Sequence, residues 1–264
     1  MNNIDTQTEK IKKSGKLGLM THVVVGYPSL KSTEYLIEVL VQGGSDFIEL
    51  QIPFSDPLAD GPLIMQANEE ALKQHIHMRE VFKLLKKCKM KYKIPFLLMG
   101  YFNSIYSYGV MQFCKDASKA GASGLIIPDI PPEEEKYERF FHYCLENNLY
   151  PIRVLSPAST QKRIMINSYL AKGFLYIVRG YGVTGSSVKL DRRFNKFIEG
   201  IRKNIKLPLA MGFGISTKKQ ISALKGIADI VVVGSAVIEL IIKQGINLDF
   251  KFIERYVRSL KEDR

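Results

Sequence analysis

Two carboxylates in this chain stand where a carboxylate needs a reason. Glu49 interrupts the apolar run FIELQIP at 47–53. In a strand, side chains alternate between faces. Ile48, Leu50 and Ile52 then share one face, and Phe47, Glu49 and Gln51 share the other. A carboxyl group enclosed on such a face is partly stripped of water, which suits a group that gives and takes a proton near neutrality. The competing reading is a buried glutamate held by a base elsewhere in the fold. Asp60 lies in the following loop, PFSDPLADGP at 53–62, with three prolines and the polar side chains of Ser55 and Asp56. Prolines restrict the backbone, so this loop can hold a carboxylate in place; an ordinary capped turn would carry similar residues. Glycines suggest the rest of the site. Gly212 and Gly214 follow one apolar run, Gly234-Ser235 follow another, and Gly182-Val183-Thr184-Gly185 follow a third. Glycine-rich strand ends that lead into helices let backbone N–H groups approach phosphate oxygens.

These residues need a frame. Eight short apolar runs rich in Val, Ile, Leu and aromatics read as strands: 20–27, 47–53, 95–102, 124–130, 150–156, 174–180, 208–213 and 229–235. Helix-patterned stretches lie between them. Residues 30–42 stop at Gly43-Gly44, and 109–120 stop at Gly121. Residues 133–147 follow Pro131-Pro132 and begin with three glutamates. Residues 191–204 start at Asp191, 216–225 start at Ser216-Thr217, and helices are expected at 236–243 and 249–262. Eight β-α units in sequence imply an α/β fold of the (β/α)8 TIM-barrel kind, spanning 1–264 as one domain. A polar helix at about 3–13 is expected outside the barrel. In such barrels the chemistry gathers at the carboxyl ends of the strands, where Glu49, Asp60 and the glycine turns fall.

Composition narrows the alternatives. The chain has 264 residues, 46% hydrophobic and 24% charged, the usage of an ordinary soluble protein. Cys88, Cys114 and Cys144 are odd in number and widely spaced, so reduced thiols in a cytoplasmic protein are expected, with no metal site. No apolar run is long enough for a membrane helix. The net charge of +12 raises the question of nucleic acid. The densest basic run, 83–93, alternates its lysines with Leu84, Leu85, Cys88 and Met90 at helical spacing. It reads as the solvent face of a helix, and no nucleic-acid partner is expected.

The segment ELQIPFSDPLADGPLIMQAN (49–68) closely resembles the signature of the tryptophan synthase α-subunit family. So do GYPS (26–29), LMGYFN (98–103), LIIPDIPPEE (125–134), GYGVTGSS (180–187), MGFGIS (211–216) and VVVGSAV (231–237). The resemblance implies a lyase that splits indole-3-glycerol phosphate into indole and glyceraldehyde 3-phosphate, without a cofactor. It implies that Glu49 is the acid–base group, that Asp60 holds the indole N–H, and that Tyr176 stands near the bond that breaks. Tyr101 and Phe213 would line the indole pocket, and Thr184 would sit on a lid. Gly185, Gly214, Gly234 and Ser235 would cradle the phosphate. The family pairs with a pyridoxal-phosphate-dependent β subunit as an αββα assembly, and Asp56 lies in the stretch implied to meet it.

The chain also departs from the family pattern. His22 stands where an aromatic or apolar residue is usual. Gln51 stands where a small residue is usual, and its longer side chain is placed to hydrogen-bond Glu49. Before the lid, the chain reads Val178-Arg179-Gly180-Tyr181-Gly182 in place of the family's Ser-Arg. These departures keep a second reading open, a non-catalytic α subunit that activates a β partner.

Overall fold

The computed structural model describes residues 1–178, 192–212, 214–245 and 247–261. Eight parallel strands close into a barrel in chain order: β1 (Gly18–Val24), β2 (Phe47–Gln51), β3 (Phe96–Met99), β4 (Gly124–Ile126), β5 (Tyr150–Leu155), β6 (Leu175–Val178), β7 (Leu209–Gly212) and β8 (Ile230–Val233). Each of the eight expected runs overlaps one strand, and β1 begins two residues before its run. Most runs continue past the strand's carboxyl end, because the residues there leave the ladder to form the rim of the barrel.

The alternation expected for β2 is present. Ile48, Leu50 and Ile52 pack in the layer between sheet and helices. Phe47 points inward with Met20, Leu97, Ile152, Phe174, Ala210 and Val232. The barrel is thus two nested cores, a filled interior and an outer shell, as closure of a parallel sheet requires.

The helices form for local reasons. Leu30–Gln42 is capped by Ser29, whose hydroxyl accepts from the Ser32 N–H at 3.0 Å. Pro62 opens Pro62–Lys73 at the position where a missing N–H costs nothing. Thr217 and Gln220 form a reciprocal capping box at the start of Lys218–Ser222. Met78–Lys91 buries Val81, Leu84, Leu85 and Cys88. Two lysines on its outer side, Lys87 and Lys91, reach Glu34 and Glu38 at 3.2 and 2.9 Å. The stretch expected as one helix over 133–147 is broken. Arg139 adopts a left-handed conformation (φ 52°). The Glu135 carboxylate accepts from Phe141 and His142 N–H groups at 2.7 and 2.9 Å, capping a second helix, Phe140–Glu146. Helices at Pro62–Lys73, Phe102–Tyr108 and Gln161–Leu170 were not among the expected segments. Asp191 lies outside the described residues.

The first helix, α1 (Asn3–Ser14), matches its expected place in the chain but does more than lie outside the barrel. Ile4 and Ile11 join the interior core. Asn2 donates to the carbonyls of Ser123 and Asn148 at 2.9 and 2.8 Å, just before β4 and β5. Tyr150 donates to Asp5 at 2.6 Å. The helix therefore plugs the amino end of the barrel and leaves the carboxyl end for chemistry.

Candidate active site

Strand register brings the first pair together. His22 on β1 stands directly opposite Glu49 on β2. His22 Nδ1 is 3.1 Å from Glu49 Oε1, and both side chains are buried, at 7% and 3% exposure. Burial disfavours a charged imidazole. The Glu49 carboxylate and its hydrogen bond outweigh that cost, with smaller help from Asp60 and Gln51, and the His22 pKa rises above its ordinary value.

Asp60 is held by a second network. Gln51 Nε2 donates to Asp60 Oδ2 at 2.6 Å. Asn68, fully buried on Pro62–Lys73, anchors the surroundings: its Nδ2 donates to the Ile64 carbonyl at 2.9 Å, and its Oδ1 accepts from Phe54 N–H at 3.1 Å. Tyr101 ties down the loop itself, its hydroxyl accepting from Ala59 N–H at 3.1 Å. Burial is the largest influence on the Asp60 carboxyl group and raises its pKa; the Gln51 hydrogen bond and the charge of His22 oppose the rise without cancelling it.

The expectation that Gln51 bonds Glu49 is not met. Residues two apart on a strand point the same way but are separated by two rises of the backbone, ~6.5 Å. The loop after β2 folds back over the barrel mouth and offers Gln51 the nearer carboxylate. Asn68 and Tyr101's tethering hydroxyl were also not legible in the sequence as supports of Asp60. They come from a helix and from β3's rim, and only the folded chain brings them to the loop.

Tyr176 on β6 lies beside this cluster. Burial, then the negative charges of Glu49 and Asp60, hold its phenol well above the ordinary tyrosine range, so it is a neutral donor. A Cβ placed on Gly212 would come within 3.0 Å of the Tyr176 hydroxyl; glycine at the end of β7 is what leaves room for the ring. Tyr101 stacks on Phe54 with centroids 5.1 Å apart, forming an aromatic wall beside the carboxylates. On the other side, Gly234 precedes the helix Ser235–Gln244, whose amino end carries no side-chain cap; an uncapped helix amino end favours an anion. Gly214 sits at the β7 rim with φ 68°. Asp56 is exposed in the β2 loop, close to Leu58, which is 80% exposed. Thr184, Gly185 and Phe213, with the stretch Arg179-Gly180-Tyr181, lie outside the described residues. Among the described residues no group of His, Cys, Asp and Glu could hold a metal ion.

Glu49, Asp60, Tyr101 and Tyr176 are thus gathered at one barrel mouth, with Gly214, Gly234 and Ser235 on the strand ends beside them. Known proteins share this arrangement of chain. A family model described as tryptophan synthase alpha chain matches residues 8–262. The tryptophan synthase alpha chain of Desulfotalea psychrophila is 42% identical over 234 residues, covering 89% of this chain and 91% of that one. Its counterpart in Desulforapulum autotrophicum is 37% identical over 249 residues, covering 94% and 96%. Among solved structures, tryptophan synthase subunit alpha from Legionella pneumophila has a TM-score of 0.88 at 34% identity, over 99% of this chain and 98% of that one. With its closed eight-stranded barrel and a match along nearly its whole length, this chain belongs to the tryptophan synthase alpha chain family.

Proposed function

We propose that this chain is a carbon–carbon lyase that cleaves indole-3-glycerol phosphate to indole and glyceraldehyde 3-phosphate, with Glu49 and Asp60 as its working carboxylates. The observation that carries the roles is a pair of carboxylates at the barrel mouth, buried Glu49 and half-buried Asp60, each held by a different partner, Glu49 by His22 and Asp60 by Gln51.

The chemistry follows from the product. The hydroxyl proton of the glycerol chain must end on C3 of the indole ring, and the C–C bond between them must break. Glu49 in its acid form protonates C3. Positive charge then develops on the ring nitrogen, where Asp60 opposes it. Asp60 is well suited because burial already penalises its lone negative charge, so a cation arriving beside it relieves that penalty in the transition state. Glu49, now a carboxylate, removes the hydroxyl proton. The C–C electrons return to the ring and the carbonyl of glyceraldehyde 3-phosphate forms, leaving Glu49 protonated for another turnover. Tyr176, neutral and beside Glu49, borders the bond that breaks. Tyr101 offers a flat apolar wall to the indole ring. The N–H groups at Gly234 and Ser235, with Gly214 at the neighbouring strand end, take the phosphate.

Asp56 and the exposed Leu58 lie in the loop after β2, the stretch that the family resemblance implies meets a partner. The reading includes docking of a pyridoxal-phosphate-dependent β subunit there, in an αββα assembly. Three buried, unpaired cysteines suit a reducing compartment, the cytoplasm. The test is indole release from indole-3-glycerol phosphate, with and without a β subunit. Glu49→Gln is expected to lower kcat by at least about 10²-fold, the usual loss for a general acid–base group. A wild type silent in both conditions would overturn the assignment.

A further inference from the structure

Three buried side-chain atoms around these carboxylates have no hydrogen-bond partner among the described residues: His22 Nε2, Glu49 Oε2 and Gln51 Oε1. Buried polar atoms are nearly always paired, and unpaired ones gather where ligands or protons are handled. The atoms that are paired explain the ones that are not. His22 Nδ1 meets Glu49 Oε1 at 3.1 Å, and Gln51 spends its amide N–H on Asp60. A neutral imidazole that bonds a carboxylate through Nδ1 carries its hydrogen there. One further proton added to that pair has two places to go. On Nε2 it makes an ion pair; on Oε2 it makes a neutral imidazole beside a carboxylic acid. Both places are unpartnered among the described residues.

We propose that His22 is a positioning residue that holds Glu49 by Oε1 and shares one proton with it, so that Oε2 is the oxygen that protonates C3 and then receives the hydroxyl proton. The inference rests on the catalytic reading of Glu49 given above. It places the proton balance of the reaction in a pair and not in a lone carboxyl group: the pair starts with the proton on Oε2, gives it to the ring, and regains one from the substrate hydroxyl at the same oxygen.

The surroundings of the imidazole support this use. From β2 it faces Glu49 and Gln51, and from the loop after β2 it feels Asp60. Across the barrel, Tyr176 on β6 lies near Glu49 as a neutral donor. On the β8 side the neighbour is backbone: a Cβ on Gly234 would come within 3.0 Å of His22 Cβ and 3.3 Å of Cδ2. Both charged groups that bear on His22 are therefore acidic, and the pair retains a proton that burial alone would have expelled. The β1–β2 register, His22 opposite Glu49, locks the two side chains at contact distance.

The first test needs no turnover. The full chain contains four histidines, and His22→Asn identifies the His22 signals in a ¹⁵N-histidine NMR spectrum. Wild type is expected to show the Nδ1–H tautomer above the titration midpoint of His22. In Glu49→Gln that midpoint should fall by about one pH unit or more, because the carboxylate is lost and burial remains. An unmoved midpoint, or an Nε2–H tautomer in wild type, overturns the pairing. The second test is the pH profile of indole release. His22→Phe should lower kcat roughly tenfold with KM within about twofold, the split expected when proton transfer and not binding is impaired. His22→Asn retains an N–H donor toward Oε1. It should recover most of kcat while its profile loses the ionisation of the coupled pair. A His22→Phe profile that superimposes on wild type sinks the proposal. If the NMR titrations behave as expected but wild type releases no indole, the pairing stands and the catalytic reading of Glu49 is what fails.

Discussion

At the scale of single residues, Asp60 shows how function is set against stability. Its folded pKa lies above the ordinary value, chiefly through burial. Between the two values the unfolded chain has released a proton that the folded chain still keeps. Raising the pH through that window therefore costs stability, and the cost is complete once the folded carboxyl group has ionised. Asp60→Asn removes the charge and keeps an acceptor for Gln51. It should abolish most indole release while raising the urea midpoint at pH 7. The gain should fade as the pH drops toward about 4, where the carboxyl group protonates in both states. Equilibrium unfolding at several pH values checks this; equal stability of the two proteins at pH 7 would mean the Gln51 and Asn68 network compensates the burial in full.

At the scale of elements, the barrel divides labour between its ends. Strand alternation and β1–β2 register place His22 and Glu49 at the mouth. Helix α1 stops the other end, with Ile4 fully buried among Phe174, Ile152 and their neighbours. A Cβ on Gly173 or Gly124 would strike Ile4 at 2.7 and 3.0 Å, so both glycines leave room for the plug, alongside the Tyr150 carbonyl that also excludes a Cβ on Gly124 and the φ of 72° at Gly173. Ile4→Ala should destabilise the protein by about 2–5 kcal/mol, the usual cost of emptying a well-packed core site. The urea midpoint would fall while kcat per folded molecule stays within about twofold, because the active site lies at the opposite end. A change in kcat as large as that from His22→Phe would show that the two ends communicate.

Across the whole molecule, charge and thiols mark what the fold does not use. The lysines of Met78–Lys91 are on the surface, and Lys87 and Lys91 pair with Glu34 and Glu38. Exposed pairs of this kind contribute at most about 1 kcal/mol each, so they serve solubility more than stability. Cys88, Cys114 and Cys144 are all buried. Burial pushes the Cys88 thiol up to about 12 and the Cys144 thiol far above its ordinary range, so neither is a thiolate at neutral pH. The native protein should react with a thiol reagent only as fast as it unfolds, and fully once denatured. Rapid labelling of one cysteine in the native state would reveal local opening beneath the helices.

Much of this was legible in the sequence, for physical reasons that act locally. Strands announce themselves by apolar runs between turn residues, and an acidic residue inside such a run, as at Glu49, marks its own cost. Proline- and glycine-rich rims mark the loop that holds Asp60 and the strand ends proposed to take the phosphate. The family signature runs through the same positions. Tertiary structure alone decided the partners. Whether Gln51 reaches Glu49 or Asp60 depends on how the loop after β2 folds back, and no spacing along the chain encodes that. His22 meets Glu49 because parallel register aligns two strands that are separated by a helix. Helix α1 looks like a polar appendage until its two isoleucines find the open end of a closed sheet. For His22 and α1 the deciding contact joins segments far apart in sequence, and for Gln51 it depends on how the loop after β2 returns, so each exists only once the chain has folded.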